Sequence, residues 1–327
     1  GLSKVLYYLL CSKMSSSDKP SGIEIPSFVK LLIGAGGIYA AFLYYGALQE
    51  EVFHYKTANG EKFTQAWYLQ SLEAIANVIV GGLGLLVTGR TPNLPLGLFG
   101  LSGAIQVCAK AFTSVALASG VSFPVVTLAK SGKMVPVMIG SLIFGGASYT
   151  LREYISVLAI IVGTCIVSMG KKSTGPASSL LGILFVVLSL ACDGAVGGLQ
   201  ARLQAQCRAR NAEPKSYDMM FWTNLFMALT AIVFAAFLGE LTTGIQLCID
   251  NPVIMEKIIK FSVCSAIGQS FIFFTIANFD PLICSTVTTT RKVFSVLLSI
   301  FLHGHAMSTE GWVGLGLASA GILSELF

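Results

Sequence analysis

Residues 219–239 read MMFWTNLFMALTAIVFAAFLG, twenty-one positions without one charged side chain. Crossing a hydrocarbon core of about 30 Å as a helix takes roughly 20 mostly apolar residues. This stretch is long enough, and continuous rather than alternating, which separates it from the 9–11-residue strands of a membrane barrel. Similar runs lie on both sides of it. Ten candidates cover approximately 29–49, 64–87, 96–119, 124–144, 150–169, 179–200, 219–239, 253–277, 282–302 and 311–325. Pro124 and Pro281 fall at the starts of the fourth and ninth, where a missing N–H costs nothing.

Composition agrees with the runs. Of 327 residues 54% are apolar and 11% charged, and mean hydropathy is +0.76. A soluble domain carries about 25% charged residues. The fold expected is an all-α membrane protein, which excludes a secreted disulfide scaffold, a nucleic-acid-binding domain and a disordered adaptor. The eight cysteines include no CxxC pair, so neither a disulfide framework nor a zinc site is readable. His303-Gly304-His305 offers two imidazoles without a third ligand, and no nucleophile–base set is visible. No metal, cofactor or catalytic residue is expected.

An even number of spans puts both termini on one side. That side carries ten Lys and Arg residues against six on the other, which favours cytosolic termini. Residues 1–28 read as a disordered tail, of which 1–13 is of uncertain origin. Ten spans divide into five-helix repeats at 29–169 and 170–327, and odd-numbered repeats insert with opposite orientation. The best internal match sets Lys133 on Lys292, Val137 on Val296 and Gly145 on Gly304.

Five cations lie within apolar runs: Lys110, Lys130, Lys133, Arg291 and Lys292. Each costs about 2.5–3.5 kcal/mol at the bilayer centre on insertion scales. Arg291 and Lys292 are mid-span, where snorkelling is hard, and Lys130 and Lys133 share one helix face. The clear in-span acids are Glu73 and Asp193, with Glu240 at a margin, too few to neutralise all five. A water-filled midplane cavity of net positive charge is therefore expected, holding a multiply charged anion such as a phosphate ester. Ser131 and Thr288, with the threonines after it, offer hydroxyls, although threonines also bond their own helix backbone. Tyr44 or Tyr45 would stack on a planar base, worth about 1–3 kcal/mol, unless they belong to a packing face. Gln49 follows on the same run. Asn224 and Gln269 are buried amides that either contact the ligand or bridge helices. Glycines at 34, 36, 37, 81, 82 and 84 read as close helix contacts rather than a dinucleotide loop.

These motifs are familiar. Tyr44-Tyr45-Gly46-Ala47-Leu48-Gln49-Glu50, Lys130-Ser131-Gly132-Lys133, Leu188-Ser189-Leu190 with Asp193-Gly194, Gly268-Gln269 and Thr288-Thr289-Thr290-Arg291-Lys292 resemble the nucleotide-sugar transporter family of the drug/metabolite transporter superfamily. The nearer likeness is to its solute carrier 35 B-type branch, which holds UDP-galactose/UDP-glucose transporter homologues and the endoplasmic-reticulum ATP/ADP exchanger. The resemblance implies ten spans in two inverted repeats, and antiport of a nucleotide sugar against a nucleoside monophosphate by alternating access. It also implies that Lys130, Lys133, Arg291 and Lys292 meet the substrate phosphates. ATP/ADP exchange stays open on the same cations, as does the sulfate donor PAPS, whose carriers share Val121-Ser122-Phe123-Pro124. Expected partners are nucleotide-sugar and nucleotide substrates and the lipid bilayer, without nucleic acid; a homodimer is left open, as is endoplasmic reticulum against Golgi membrane. Glu73 and Lys110 depart from the branch's pattern, and a compensating pair between them would leave substrate choice untouched.

Overall fold

A computed structural model describes residues 26–55, 60, 62–131, 151–169, 180–212, 214–278, 281–302 and 308–324. Among the described residues every regular element is a helix: α1 (Ser27–His54), α2 (Ala66–Thr88), α3 (Leu96–Ala118), α4 (Phe123–Ser131), α5 (Leu151–Met169), α6 (Leu180–Ala209), α7 (Ser216–Phe237), α8 (Glu240–Asp250), α9 (Pro252–Asn278), α10 (Pro281–Leu302) and α11 (Thr309–Ser324). Six of them, α1, α2, α3, α6, α7 and α9, are long and apolar enough to cross a membrane. In α10 the Ser/Thr run and the Arg291-Lys292 pair dilute an otherwise sufficient 22-residue length.

Most helix bounds lie within three residues of those expected from the apolar runs. Two run longer: α1 continues to His54, and α6 continues past position 200 to Ala209. One helix is additional. The amphipathic α8, eleven residues long, lies where a loop was expected. It starts after Gly239, whose φ of 73° is cheap only for glycine. Its first residue, Glu240, accepts from the backbone N–H groups of Trp67 (2.7 Å) and Tyr68 (3.3 Å), so it caps the start of α2. Burial raises the Glu240 carboxyl above its ordinary range, against the lowering effect of those two bonds.

Other ends follow backbone rules. At the end of α3, Val121 N–H bonds Ala116 C=O and Gly120 N–H bonds Leu117 C=O, with Gly120 at φ 90°; this satisfies two otherwise orphaned carbonyls. Asn211, at φ 50°, ends α6 in the same way through Ala212 and Cys207. Asp218, fully buried in the first turn of α7, accepts from Thr91 N–H (3.2 Å), Thr91 Oγ1 (2.6 Å) and Lys215 N–H (3.1 Å), which ties the α2–α3 turn to α7.

Helices meet through glycines. A Cβ on Gly37 would lie 2.4 Å from the Phe271 ring, on Gly84 2.2 Å from Tyr217, and on Gly163 2.5 Å from the Ala318 backbone nitrogen. These contacts join α1 to α9, α2 to α7 and α5 to α11, three of the closest-packed pairs. Gly34, Gly37, Gly81 and Gly84 therefore serve close approach, as small residues do between membrane helices, whereas Gly36, expected to do the same, faces open space. Leu86, Val87, Leu180 and Phe237 remain more than four-fifths exposed, an outward apolar surface suited to lipid.

Candidate functional site

Helix α3 carries the polar centre of the molecule. Lys110 and Thr113 lie three residues apart, hence on one face, and each opens a network towards different helices. The first network converges on Glu73 of α2, almost fully buried at 1% exposure. Its Oε1 accepts from Lys110 Nζ (2.7 Å), Ser265 Oγ of α9 (2.7 Å) and the Tyr45 hydroxyl of α1 (3.2 Å). Its Oε2 is buried without a donor. Asn77, one turn on, donates to Glu73 C=O (3.0 Å) and Ser265 Oγ (3.3 Å). The compensating Glu73–Lys110 pair thus forms, and it binds two further helices that sequence reasoning did not connect to it.

The Tyr45 ring is stacked on Phe261, centroids 4.3 Å apart, and meets Phe42 edge-on at 5.9 Å. Over the other ring, Phe42, sits the guanidinium of Arg291, its Cζ 4.7 Å from the centroid. Phe42 is held from behind by Gly268, where a Cβ would come within 2.7 Å of the ring. The Arg291 Nε is buried without an acceptor. Below it Tyr39 donates to Thr290 Oγ1 (2.7 Å), and Thr290 donates to Val287 C=O (3.1 Å). Thr290 has therefore taken the backbone-bonding option.

In the second network, Lys130 of α4 donates to Thr113 Oγ1 (2.9 Å) and lies 3.1 Å from Asp193 Oδ2 of α6. The contact is an ion pair off the hydrogen-bonding direction, since Oδ2 is buried without a donor. Thr113 and Ser189 share a 2.8 Å bond, and Ser189 donates to Ala109 C=O (2.6 Å), which closes the loop onto α3. Counting charges along the sequence grouped Lys130 with uncompensated cations; the fold brings Asp193 to it from 63 positions away.

The remaining sequence candidates divide. Arg291 and Tyr45 are brought together around Phe42, which sequence reasoning missed; Tyr44, one residue from Tyr45, is 47% exposed and on another face. Gln49 is buried at 9% exposure. Thr288 and Lys292 are half-buried on α10. Gln269 is half-buried on α9. Asn224 donates to Met220 C=O (2.7 Å) within its own helix, leaving its buried Oδ1 without a donor. Lys133, His303 and His305 lie outside the described residues, as do the tail 1–25 and the side chains of Ser131 and Thr289. A further acid was missed: Glu50, 2% exposed, accepts from Ser299 Oγ at 2.5 Å. The signal for it was the apolar Val52-Phe53 beyond, both buried, which carries α1 past the acid.

Half-buried cations held by carboxylates on separate helices, together with an arginine whose buried Nε lacks an acceptor, suit reversible capture of an anion rather than bond-breaking chemistry. The chain matches the UAA transporter family over residues 30–326. It belongs to that family. The molecule is thus a membrane-embedded transporter and not an enzyme. Among its relatives, the "Solute carrier family 35 member B1 homolog" of Drosophila melanogaster is 30% identical, covering 93% of this chain and 92% of that protein. The "Solute carrier family 35 member B1" of Xenopus tropicalis is 32% identical, covering 90% and 92%. A solved crystal structure aligns over 91% of this transporter and 96% of its own chain, with a TM-score of 0.54 and 15% identity, a likeness of fold.

Proposed function

We propose that this transporter is a nucleotide-sugar antiporter, moving UDP-galactose or UDP-glucose into the lumen of the endoplasmic reticulum or Golgi in exchange for a nucleoside monophosphate. The observation carrying this reading is Arg291: a mid-span guanidinium with a buried, unmatched Nε, set over Phe42 beside the stacked Tyr45. A guanidinium presents planar donors that fit phosphate oxygens, and the adjoining aromatic wall gives a planar base a surface. Lys292 follows on α10, and Lys133 follows Lys130 in sequence.

The mechanism is alternating access between two inverted five-helix repeats, α1–α5 and α6–α11, with α8 an insertion. Packing supports the repeat reading. Exchanging α1 with α6, α2 with α7, α3 with α9, α4 with α10 and α5 with α11 turns α3–α6 into α9–α1. It likewise turns α3–α7 into α9–α2 and α1–α10 into α6–α4, all of them packed pairs. The pairs α2–α7, α4–α10 and α5–α11 map onto themselves. Lys30, Arg90, Arg208, Arg210 and Lys215 fall on the face of the α1 start, which supports placing that face in the cytosol.

Counterflow in liposomes tests the proposal. Vesicles preloaded with UMP are expected to accumulate labelled UDP-hexose, and Lys133→Gln or Lys292→Gln to abolish most of that uptake with thermal unfolding nearly unchanged. Exchange of ATP for ADP in place of UDP-hexose would overturn the substrate. Wild-type exchange in both variants would overturn the cationic site.

A further inference from the structure

The Glu73–Lys110 pair is unlike a structural ion pair at a protein surface. It is buried on one side, with Glu73 at 1% and the Lys110 side chain at 26% exposure, and it lies two side chains from the anion site. The connection runs Lys110 to Glu73 Oε1 (2.7 Å), Glu73 to the Tyr45 hydroxyl (3.2 Å), Tyr45 to Phe42 (5.9 Å between centroids) and Phe42 to Arg291 (4.7 Å). Glu73 thereby cancels a cation that would otherwise act on the ligand, and it holds the tyrosine that lines the ligand's aromatic wall.

We infer that Glu73 is a positioning residue that sets the charge of the nucleotide the transporter prefers: by holding Lys110 it keeps that ammonium out of the anion site and favours ligands of low negative charge. The inference rests on the transport reading above and adds a determinant of specificity to it. Glu73→Gln keeps an acceptor for Tyr45 and Ser265 but releases Lys110. A unit charge one helix spacing from the ligand, about 8–10 Å, in a medium of effective dielectric about 20, is worth roughly twentyfold in affinity per unit of ligand charge.

The test is counterflow with UMP, UDP and UTP, read as the ratio of their apparent KM values. Glu73→Gln is expected to shift the ranking towards UTP by roughly twentyfold for each phosphate added. Lys110→Met, which leaves the Glu73 carboxylate unbalanced, should shift it towards UMP. The double variant, neutral at both positions, should regain the wild-type ranking, a rescue that a purely structural role does not produce. If Glu73→Gln does not fold, the opposite shift in Lys110→Met decides alone. Parallel loss for all three nucleotides, with the ranking unchanged, would overturn the inference while leaving transport intact. A wild-type protein that exchanges none of them would instead overturn the transport reading, and this inference with it.

Discussion

Breaking the Lys130–Asp193 contact one partner at a time should be costly, and breaking it at both ends should not. The ammonium lies 3.1 Å from Asp193 Oδ2, with side chains 25% and 20% exposed. At an effective dielectric of about 20, two unit charges at that separation attract by about 5 kcal/mol before any cost is counted. Desolvation of both groups removes much of this, and the off-axis approach leaves Oδ2 without a hydrogen bond. A net coupling of about 1–3 kcal/mol remains. The two single variants are not equivalent. Asp193→Asn leaves Lys130 its 2.9 Å bond to Thr113, so its cost falls at the low end. Lys130→Gln strands a largely buried carboxylate, so its cost falls at the high end. Thermal unfolding of the four proteins in one detergent, without nucleotide, closes the cycle. Each single variant is expected a few degrees below wild type, Lys130→Gln the lower, and the double variant above it. Strictly additive shifts would refute the argument, because they would mean that the two charges do not feel each other.

Two further outcomes check the packing and the capping. Gly163→Ala places a Cβ 2.5 Å from the Ala318 nitrogen and 2.6 Å from the Gly314 oxygen, backbone atoms that cannot rotate away. It should cost about 1–3 kcal/mol, whereas Gly36→Ala, whose Cβ would meet no atom of another helix within 4 Å, should unfold no lower than the wild type. Asp218→Ala strands the Thr91 and Lys215 N–H donors and should cost about 2–3 kcal/mol in the same thermal assay, with Asp218→Asn losing less because it keeps an acceptor.

What was legible in the sequence follows from what hydropathy measures. It reports where backbone must be sheltered from lipid, so the apolar runs located the long helices closely. It does not report where a helix ends in water. The stretch ARLQAQCRA consists largely of good helix formers, so α6 continues to Ala209 after its apolar run has finished. The amphipathic α8 is too short to cross and too polar to register. Charges were legible singly, and as a pair only for Glu73 and Lys110. Glu73 and Lys110 drew notice because both depart from the branch's pattern, while Asp193 meets Lys130 only once α4 and α6 have both packed. Tyr44 and Tyr45 were indistinguishable until the rotation of α1 was known. Packing then turned Tyr45 onto Phe261 and left Tyr44 outward.

The pairing also changes how exchange would be enforced. A cavity of bare cations would resist reorientation through their mutual repulsion, and an anion would act by screening it. The described site is closer to balanced, since Lys110 and Lys130 already have carboxylates and Glu50 is buried as well. Lys130 belongs to the proposed first repeat and Asp193 to the second, so their ion pair fastens the two halves together. A phosphate reaching Lys130 competes with Asp193 for the ammonium, and each can hold it only at the other's expense. In the exchange reading, an anion therefore opens the connection that its absence closes, and the empty carrier is held by an attraction rather than driven by a repulsion. The difference is measurable. Loosening the pair with Asp193→Asn should raise net efflux from vesicles with no nucleotide outside, relative to exchange. A repulsion-driven carrier would show the reverse, because removing an acid adds to its net positive charge.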